Sequence, residues 1–178
     1  VRFLCPRMEM GQGATIGLSQ IVAEELGVTQ DQIECLAPDS DQLGPFKMTV
    51  GSEGIARFSG PVAMGAAGLR EHFRQLAADK VLLPFDQIED AAGGFTAAGN
   101  FIGYGELVPD QARIIGAEYR ADVVPRFADR NGNSRAIGKS WKSPELKNIV
   151  TGQTIYSRDI AVPDMLYGDI VRPPRYGA

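Results

Sequence analysis

A glycine turn between a strand pattern and a helix pattern is the feature that most limits how this chain can fold. Residues 1–8 are apolar and β-prone, whereas residues 14–26 repeat apolar side chains at helical spacing. Gly11 and Gly13 lie between these patterns, and Gly27 follows the second one, where glycine adopts the left-handed conformation that ends many helices. The sequence therefore predicts a strand, a tight turn and a helix in this order.

The strongest helix pattern of the chain lies further along. Ser59-Gly60-Pro61 supplies a capping residue and a proline suited to a first turn, so we expect the helix to begin there. His72 falls on the flank of this helix and is expected to face solvent. The apolar residues are spaced four, three, four and three apart and predict a buried stripe made of Val62, Ala66, Leu69, Phe73 and Leu76.

Several shorter elements are predicted around these two helices. Strand patterns occupy residues 31–37, 80–89 and 94–102, and a short helix is expected at residues 105–112. The polar, glycine-rich stretch at residues 124–143 indicates a domain boundary, which we place between residues 135 and 136. Beyond it, strand-like alternation is found at Ile149-Val150, Thr154–Tyr156 and Met165–Val171.

Composition excludes several classes of protein. The chain has 178 residues, a net charge of −4 and no basic stripe, which argues against a nucleic-acid-binding surface. No apolar stretch approaches the roughly 20 residues needed to span a bilayer, so we expect a soluble protein. One histidine and two cysteines exclude a self-contained zinc site or a Ser-His-Asp triad. Cys5 and Cys35 are expected to be small buried apolar side chains.

The glycine turn is also the segment in which binding chemistry is expected. The first turn of a helix leaves about four backbone N–H groups unpaired, and glycines let a ligand approach them. Gln12 adds an amide that donates and accepts, which suits the edge of a heterocycle. Two alternatives remain on the local pattern: a turn with no ligand, or a Rossmann-like nucleotide site in which Asp39 holds a ribose, although the spacing is GxGxxxG.

Five ordered motifs resemble the large, molybdopterin-binding subunit of molybdenum hydroxylases of the xanthine dehydrogenase/aldehyde oxidase type. The resemblance is greatest to the isoquinoline 1-oxidoreductase group, and the motifs cover nearly the whole chain. They are Glu9–Thr15 with Gln20–Val28, Thr49–Ser52, Gly103–Leu107, Ile137–Lys139, and Val150–Tyr156 with the segment up to Pro174.

The resemblance implies an α+β fold, with part of a molybdopterin-binding domain at residues 1–135 and the first strands of an α/β-hammerhead domain at residues 136–178. It implies hydroxylation of an aldehyde or an N-heterocycle with water as the oxygen source. The implied cofactor is molybdenum-bearing molybdopterin, as the cytosine dinucleotide, and the implied partners are the remainder of the large subunit and an iron–sulfur subunit with 2Fe-2S clusters. A bacterial cytoplasmic or periplasmic location is expected.

The resemblance also implies which residues touch the cofactor. They are Met10, Gly11, Gln12, Gly13, Gly51 and Ser52. The glycine-phenylalanine-glycine loop and the GEP-type segment with the family's glutamate base are not found in the sequence, so no catalytic residue is assigned and the chain is expected to be inactive alone. Glu9 and Glu106 are interpreted as structural acids at the start of helical turns. The competing hypothesis is a binding module or scaffold without catalysis.

Overall fold

The computed structural model describes residues 1–37, 41, 48–108, 123–126 and 134–175 of a mixed helix and strand protein. Contacts divide the chain into two compact units, Val1–Trp141 and Lys142–Ala178. The first unit contains β1 (Arg2–Leu4), α1 (Ala14–Leu26), β2 (Glu34–Leu36), α2 (Gly54–Val81), β3 (Glu89–Ala91), β4 (Gly94–Ala97) and β5 (Asn100–Gly103), and the second contains α3 (Leu146–Val150).

The first layer is a strand–helix–strand unit packed on α2. Strands β1 and β2 are parallel, with Phe3 opposite Cys35, and α1 forms the crossover between them. Helices α1 and α2 pack together closely enough that a Cβ atom on Gly17 would lie 2.8 Å from the Cδ1 atom of Ile55. One cluster of buried residues in this layer consists of Cys5, Leu18, Ile21 and Ala63.

The second layer is an antiparallel sheet in the order β3-β4-β5. A two-residue turn, Ala98-Gly99, joins β4 to β5, and both residues have positive φ, as such hairpin turns require. The sheet packs against the C-terminal half of α2. Its core is formed by Phe73, Ala77, Ala78, Ile88, Phe95, Ala97, Ile102 and Leu107.

Helix α1 confirms the sequence prediction at both ends. It spans Ala14–Leu26, and Gly27 follows in the left-handed conformation with φ 65°. The apolar stripe of α2 also faces the core, with Ala66 and Phe73 buried, and His72 is exposed. Cys5 is buried and Cys35 is partly buried, and both are free thiols.

The predicted start of the second helix was wrong. Helix α2 begins at Gly54, not at Ser59, and Pro61 lies inside it. Pro61 was interpreted as a first-turn signal. Inside a helix, however, its missing N–H removes only one backbone hydrogen bond, and the packing of this 28-residue helix on α1 compensates for that loss. Gly54 lies at this packing contact, because a Cβ atom added to it would be 3.8 Å from the Cβ atom of Ala14, at the start of α1.

One strand prediction was wrong, and a second was right in type but missed a turn. In the segment 80–89, Lys80 and Val81 end α2, Phe85–Gln87 form a 3-10 turn, and β3 begins only at Glu89. The segment 94–102 is two strands and a turn. Short apolar runs such as Val81–Leu83 fit a helix end as well as a strand, and the packing of α2 on the sheet decides between them.

Other predictions fall partly outside the described residues. Asp39 and residues 109–112 lie there, and the short helix predicted at residues 105–112 is represented by a 3-10 turn at Tyr104–Glu106. Among the described residues, none of the helices has both the length and the apolar character required for a membrane span.

The second unit does not show the predicted strands. Ile149 and Val150 belong to α3, and no strand is found in residues 142–175. A strand needs a hydrogen-bonded neighbour, and the described part of this unit provides none. Its apolar side chains are exposed, among them Ile155, Tyr156, Leu166, Tyr167, Ile170 and Val171. The hammerhead assignment of this unit stays a prediction.

Candidate functional site

Two loops that carry the predicted site residues lie side by side in the first unit. We call residues 8–13 the first loop and residues 48–53 the second loop. The backbone N–H of Met8 donates to Thr49 Oγ1 at 3.0 Å. The buried Arg7 guanidinium donates to the carbonyl of Met48 at 2.9 Å and stacks 3.6 Å from the centroid of the Phe58 ring. The start of each helix is therefore next to the start of the other.

The first loop is organised around the carboxylate of Glu9. Oε1 accepts the N–H groups of Gly11 at 2.8 Å and Gly13 at 2.9 Å. Oε2 accepts the N–H and the hydroxyl of Thr15 at 3.1 and 2.9 Å. The amides at the start of α1, which the sequence suggested as a site for a ligand anion, are thus partly occupied by a side chain of the loop itself.

These hydrogen bonds keep Glu9 ionised. Burial raises the pKa of its carboxyl, but the hydrogen bonds from Gly13, Thr15 and Gly11 outweigh burial, and the pKa is lowered from its ordinary value of 4.5. Because the pKa is lower in the folded loop, the ionised carboxylate contributes its full stabilisation at any pH above the ordinary carboxyl pKa. This stabilisation is lost as the pH falls through the lowered pKa.

Gln12 is held by the same loop. Its Oε1 atom accepts the N–H of Met10 at 2.6 Å, and its Nε2 atom donates to the carbonyl of Met8 at 2.8 Å. A glutamine amide has two donor hydrogens and two acceptor lone pairs, so one of each remains after these bonds. The internal bonds fix the direction of an exposed amide that can still donate once and accept once.

Glycine is required in both loops by backbone conformation. Gly11 and Gly13 have φ of 92° and 74°, and a Cβ atom added to either would meet nothing within 4 Å. Gly51 has φ 69°, and Ser52 has φ 54°, a conformation that costs a non-glycine residue about 1–2 kcal/mol. No hydrogen bond of the Ser52 hydroxyl is found among the described residues, so this exposed side chain is accessible to a ligand.

The two loops and the start of α2 carry exposed apolar side chains. Met10 is 68% exposed and Met48 is 74% exposed. Polarizable thioethers adapt to flat or irregular apolar surfaces. The other exposed members of this surface are Met8, Val50 and Ile55. The site therefore combines accessible glycine backbone, one oriented amide and an apolar border.

Comparison with known proteins identifies the family of this chain. A family described as the molybdopterin cofactor-binding domain matches residues 1–142. The chain belongs to this family. This match confirms the resemblance to the molybdopterin-binding subunits of molybdenum hydroxylases that was inferred from the motifs.

Two relatives of this molybdopterin-binding domain match almost the whole chain. The chain is 28% identical over 171 residues to a nicotinate dehydrogenase subunit of Pseudomonas putida, an alignment that covers 96% of the chain and 14% of the relative. It is 25% identical over 213 residues to the beta subunit of isoquinoline 1-oxidoreductase from Brevundimonas diminuta, which covers 99% of the chain and 27% of the relative. The chain therefore spans about a seventh and about a quarter of their lengths.

The donor set of the two loops fits one part of a molybdopterin cofactor. The open space above Gly11 and Gly13 admits a flat group, and the remaining Gln12 donor and acceptor match the edge of a pterin ring. In the described part of the chain, no group of three or more His, Cys, Asp or Glu side chains is arranged to hold a metal ion. Contacts between these two loops and such a cofactor stay a prediction.

Two glutamates of the molybdopterin-binding domain were not predicted to be buried. Helical periodicity gives no sign that Glu24 is buried, but its carboxylate accepts the N–H groups of Arg135, Ala136 and Ile137 at 2.7–3.2 Å. Glu25 is fully buried and accepts from Arg70 at 2.9 Å. The partners lie 45 residues away for Glu25 and 111–113 residues away for Glu24, so local sequence patterns could not identify them.

Glu106 has the structural role expected of it. Its carboxylate accepts the N–H of Gly103 at 3.0 Å and pairs with Lys80 at 3.2 Å. These two interactions, the backbone hydrogen bond first, lower the pKa of the exposed Glu106 carboxyl. This glutamate closes the 3-10 turn after β5.

Proposed function

We propose that the chain is the molybdopterin-binding part of the large subunit of a molybdenum-dependent hydroxylase. The observation that supports this proposal most strongly is the adjacency of two exposed glycine loops in a domain of the molybdopterin-binding family. When bound, the cofactor supplies the two-electron redox chemistry that no side chain of the chain provides. We propose the cytosine dinucleotide form of the cofactor and 2Fe-2S clusters on a partner subunit.

The proposed substrates are N-heterocycles or aldehydes, with water as the source of oxygen. The names of both relatives contain an N-heterocycle, nicotinate in one and isoquinoline in the other, which favours that class. The residues of this chain bind and orient the cofactor. Met10, Gly11, Gln12 and Gly13 contact it from the first loop, and Gly51 and Ser52 contact it from the second.

We expect the isolated 178-residue chain to show no oxidation of nicotinate, isoquinoline or benzaldehyde above background with a dye acceptor. The segment with the family's glutamate base and the glycine-phenylalanine-glycine loop are not found in its sequence, and general acid–base catalysis alone contributes about 10²–10⁴-fold. The control is the same chain co-expressed with the rest of its large subunit and an iron–sulfur protein. Molybdenum-dependent turnover by the purified chain would contradict this expectation.

Gln12→Ala is expected to lower the molybdenum content and the turnover of the assembled enzyme by about tenfold. The substitution removes the remaining donor and acceptor, which leaves polar groups of the cofactor unpaired at about 1–3 kcal/mol. The matched control is Gln12→Glu, which keeps the acceptor for the Met10 N–H but loses the amide donor. Both variants are compared by metal analysis and steady-state rate, with the melting temperature of the apo chain as the measure of folding.

If Gln12→Ala retains the molybdenum content and rate of the wild-type enzyme, Gln12 only shapes the turn and the proposed contact is wrong. The competing function, a binding module without catalysis, predicts cofactor binding but no turnover even in the assembled complex. Activity of the complex separates the two functions.

A further inference from the structure

A side chain of the first loop already fills the amide-rich start of α1. Two oxygens of Glu9 accept four hydrogen bonds, from Gly11, Gly13 and both donors of Thr15, at distances of 2.8–3.1 Å. Such a cluster of backbone N–H groups at a helix start normally attracts phosphate. In this chain the Glu9 carboxylate accepts the hydrogen bonds that these amides would otherwise donate to a phosphate.

A resident carboxylate changes which ligand the loop can accept. A phosphate brought to the same amides would have to displace Glu9 and would face its negative charge at close range. A neutral heterocycle meets no such repulsion. The first loop offers it the outward donor and acceptor of Gln12 and the backbone of Gly11 and Gly13, next to the thioether of Met10.

We propose that Glu9 is the positioning residue of the cofactor site, holding the first loop in shape and keeping phosphate groups away from the start of α1. The cofactor then meets the loop with its uncharged pterin ring, and its phosphates are bound by other parts of the protein. The identity of the ligand in this inference rests on the proposed cofactor-binding function. The role of Glu9 in shaping the loop does not depend on that function.

Two variants separate the two roles of Glu9. Glu9→Gln keeps an acceptor oxygen for the loop amides and removes the charge, whereas Glu9→Ala removes both. We expect amide hydrogen exchange at Gly11, Gly13 and Thr15 to accelerate at least tenfold in Glu9→Ala. In Glu9→Gln the single remaining oxygen can accept from Gly11 and Gly13 but not from Thr15 as well, so we expect much less acceleration at the two glycines than at Thr15. Exchange at Leu18, in the core of α1, is the internal control for global folding.

Ligand binding is measured by calorimetry on the 178-residue chain with inorganic pyrophosphate and 6-methylpterin as probes. We expect the wild-type chain to bind the pterin in preference to pyrophosphate, and both variants to gain at least tenfold in pyrophosphate affinity. A loop with only a structural role for Glu9 would not gain an affinity for anions. Glu89→Gln, which removes an equal negative charge from an exposed residue of β3, is the control for non-specific anion binding.

Unchanged pyrophosphate affinity in both variants, or unchanged exchange of the three loop amides in Glu9→Ala, would overturn the inference. If the loop amides and the pyrophosphate affinity respond as expected but no variant binds the pterin, the role of Glu9 is supported and the proposed cofactor contact is refuted. The two proposals therefore fail in different measurements.

Discussion

Gly94→Ala is expected to destabilise the first unit by about 3 kcal/mol or more, the largest effect of any single methyl group added to the described glycines. A Cβ atom at this position would overlap the carbonyl oxygen of Ile102 and lie 2.9 Å from the Cα atom of Gly103. Both atoms belong to the backbone of β5, so they can move away only if the β4–β5 ladder opens. The neighbouring Phe95 is fully buried, and its core contacts would be lost as well.

The measurement is the midpoint and slope of urea unfolding. Gly105→Ala is the matched control, because a Cβ atom there meets nothing within 4 Å and the residue has no positive φ. We expect it to change stability by less than about 0.5 kcal/mol. Equal midpoints for the two variants would show that the hairpin does not pack as described.

Glu25→Ala is expected to lower the free energy of unfolding by about 3–5 kcal/mol, because it removes one partner of a buried ion pair. Glu25 has a fully buried carboxylate that accepts from Arg70 at 2.9 Å and from the backbone N–H of Arg126 at 3.0 Å. The side chain of Arg70 is only 6% exposed, so water cannot replace the lost carboxylate. Arg70 keeps its contact with Glu71, which places the expected loss near the lower limit.

The control is Glu34→Ala, which breaks the exposed pair with Arg2. The side chain of Glu34 is 57% exposed and that of Arg2 is 79% exposed, so we expect a change of at most about 1 kcal/mol. Urea unfolding at two salt concentrations distinguishes the two ion pairs. The exposed Glu34–Arg2 pair is screened by salt, so the cost of Glu34→Ala should fall at high salt, whereas the cost of Glu25→Ala should not. If both substitutions cost the same, the Glu25–Arg70 pair is not buried in solution.

Local sequence patterns predicted the first helix because all of its signals agree. The apolar spacing, the glycines before it and Gly27 after it all specify the same element, and α1 has the predicted bounds. The same signals predicted that Gly11 and Gly13 form a tight turn before this helix. The beginning of α2 was missed because Pro61 is a strong local signal, whereas the contact of Gly54 with Ala14 is a tertiary one.

Long-range partners explain what could not be predicted at the site. The adjacency of the two loops depends on Met8 and Thr49, which are 41 residues apart. Periodicity alone could not identify Glu24 as buried, because the N–H groups that neutralise its burial cost lie 111–113 residues further along the chain. The strands predicted after residue 149 require sheet partners that the described residues of the second unit do not supply.

The carboxylates of α1 have a practical consequence for how this domain is expressed. Glu24 holds the amides of Arg135, Ala136 and Ile137, and Gln20 donates to the carbonyls of Ala136 and Lys139. A version cut at residue 135 would remove the N–H groups of Ala136 and Ile137 and leave the buried carboxylate of Glu24 with the Arg135 N–H alone. A recombinant domain should therefore extend beyond Lys139, because a chain that ends at Trp141 keeps all the hydrogen bonds that Glu24 and Gln20 make with residues 135–139.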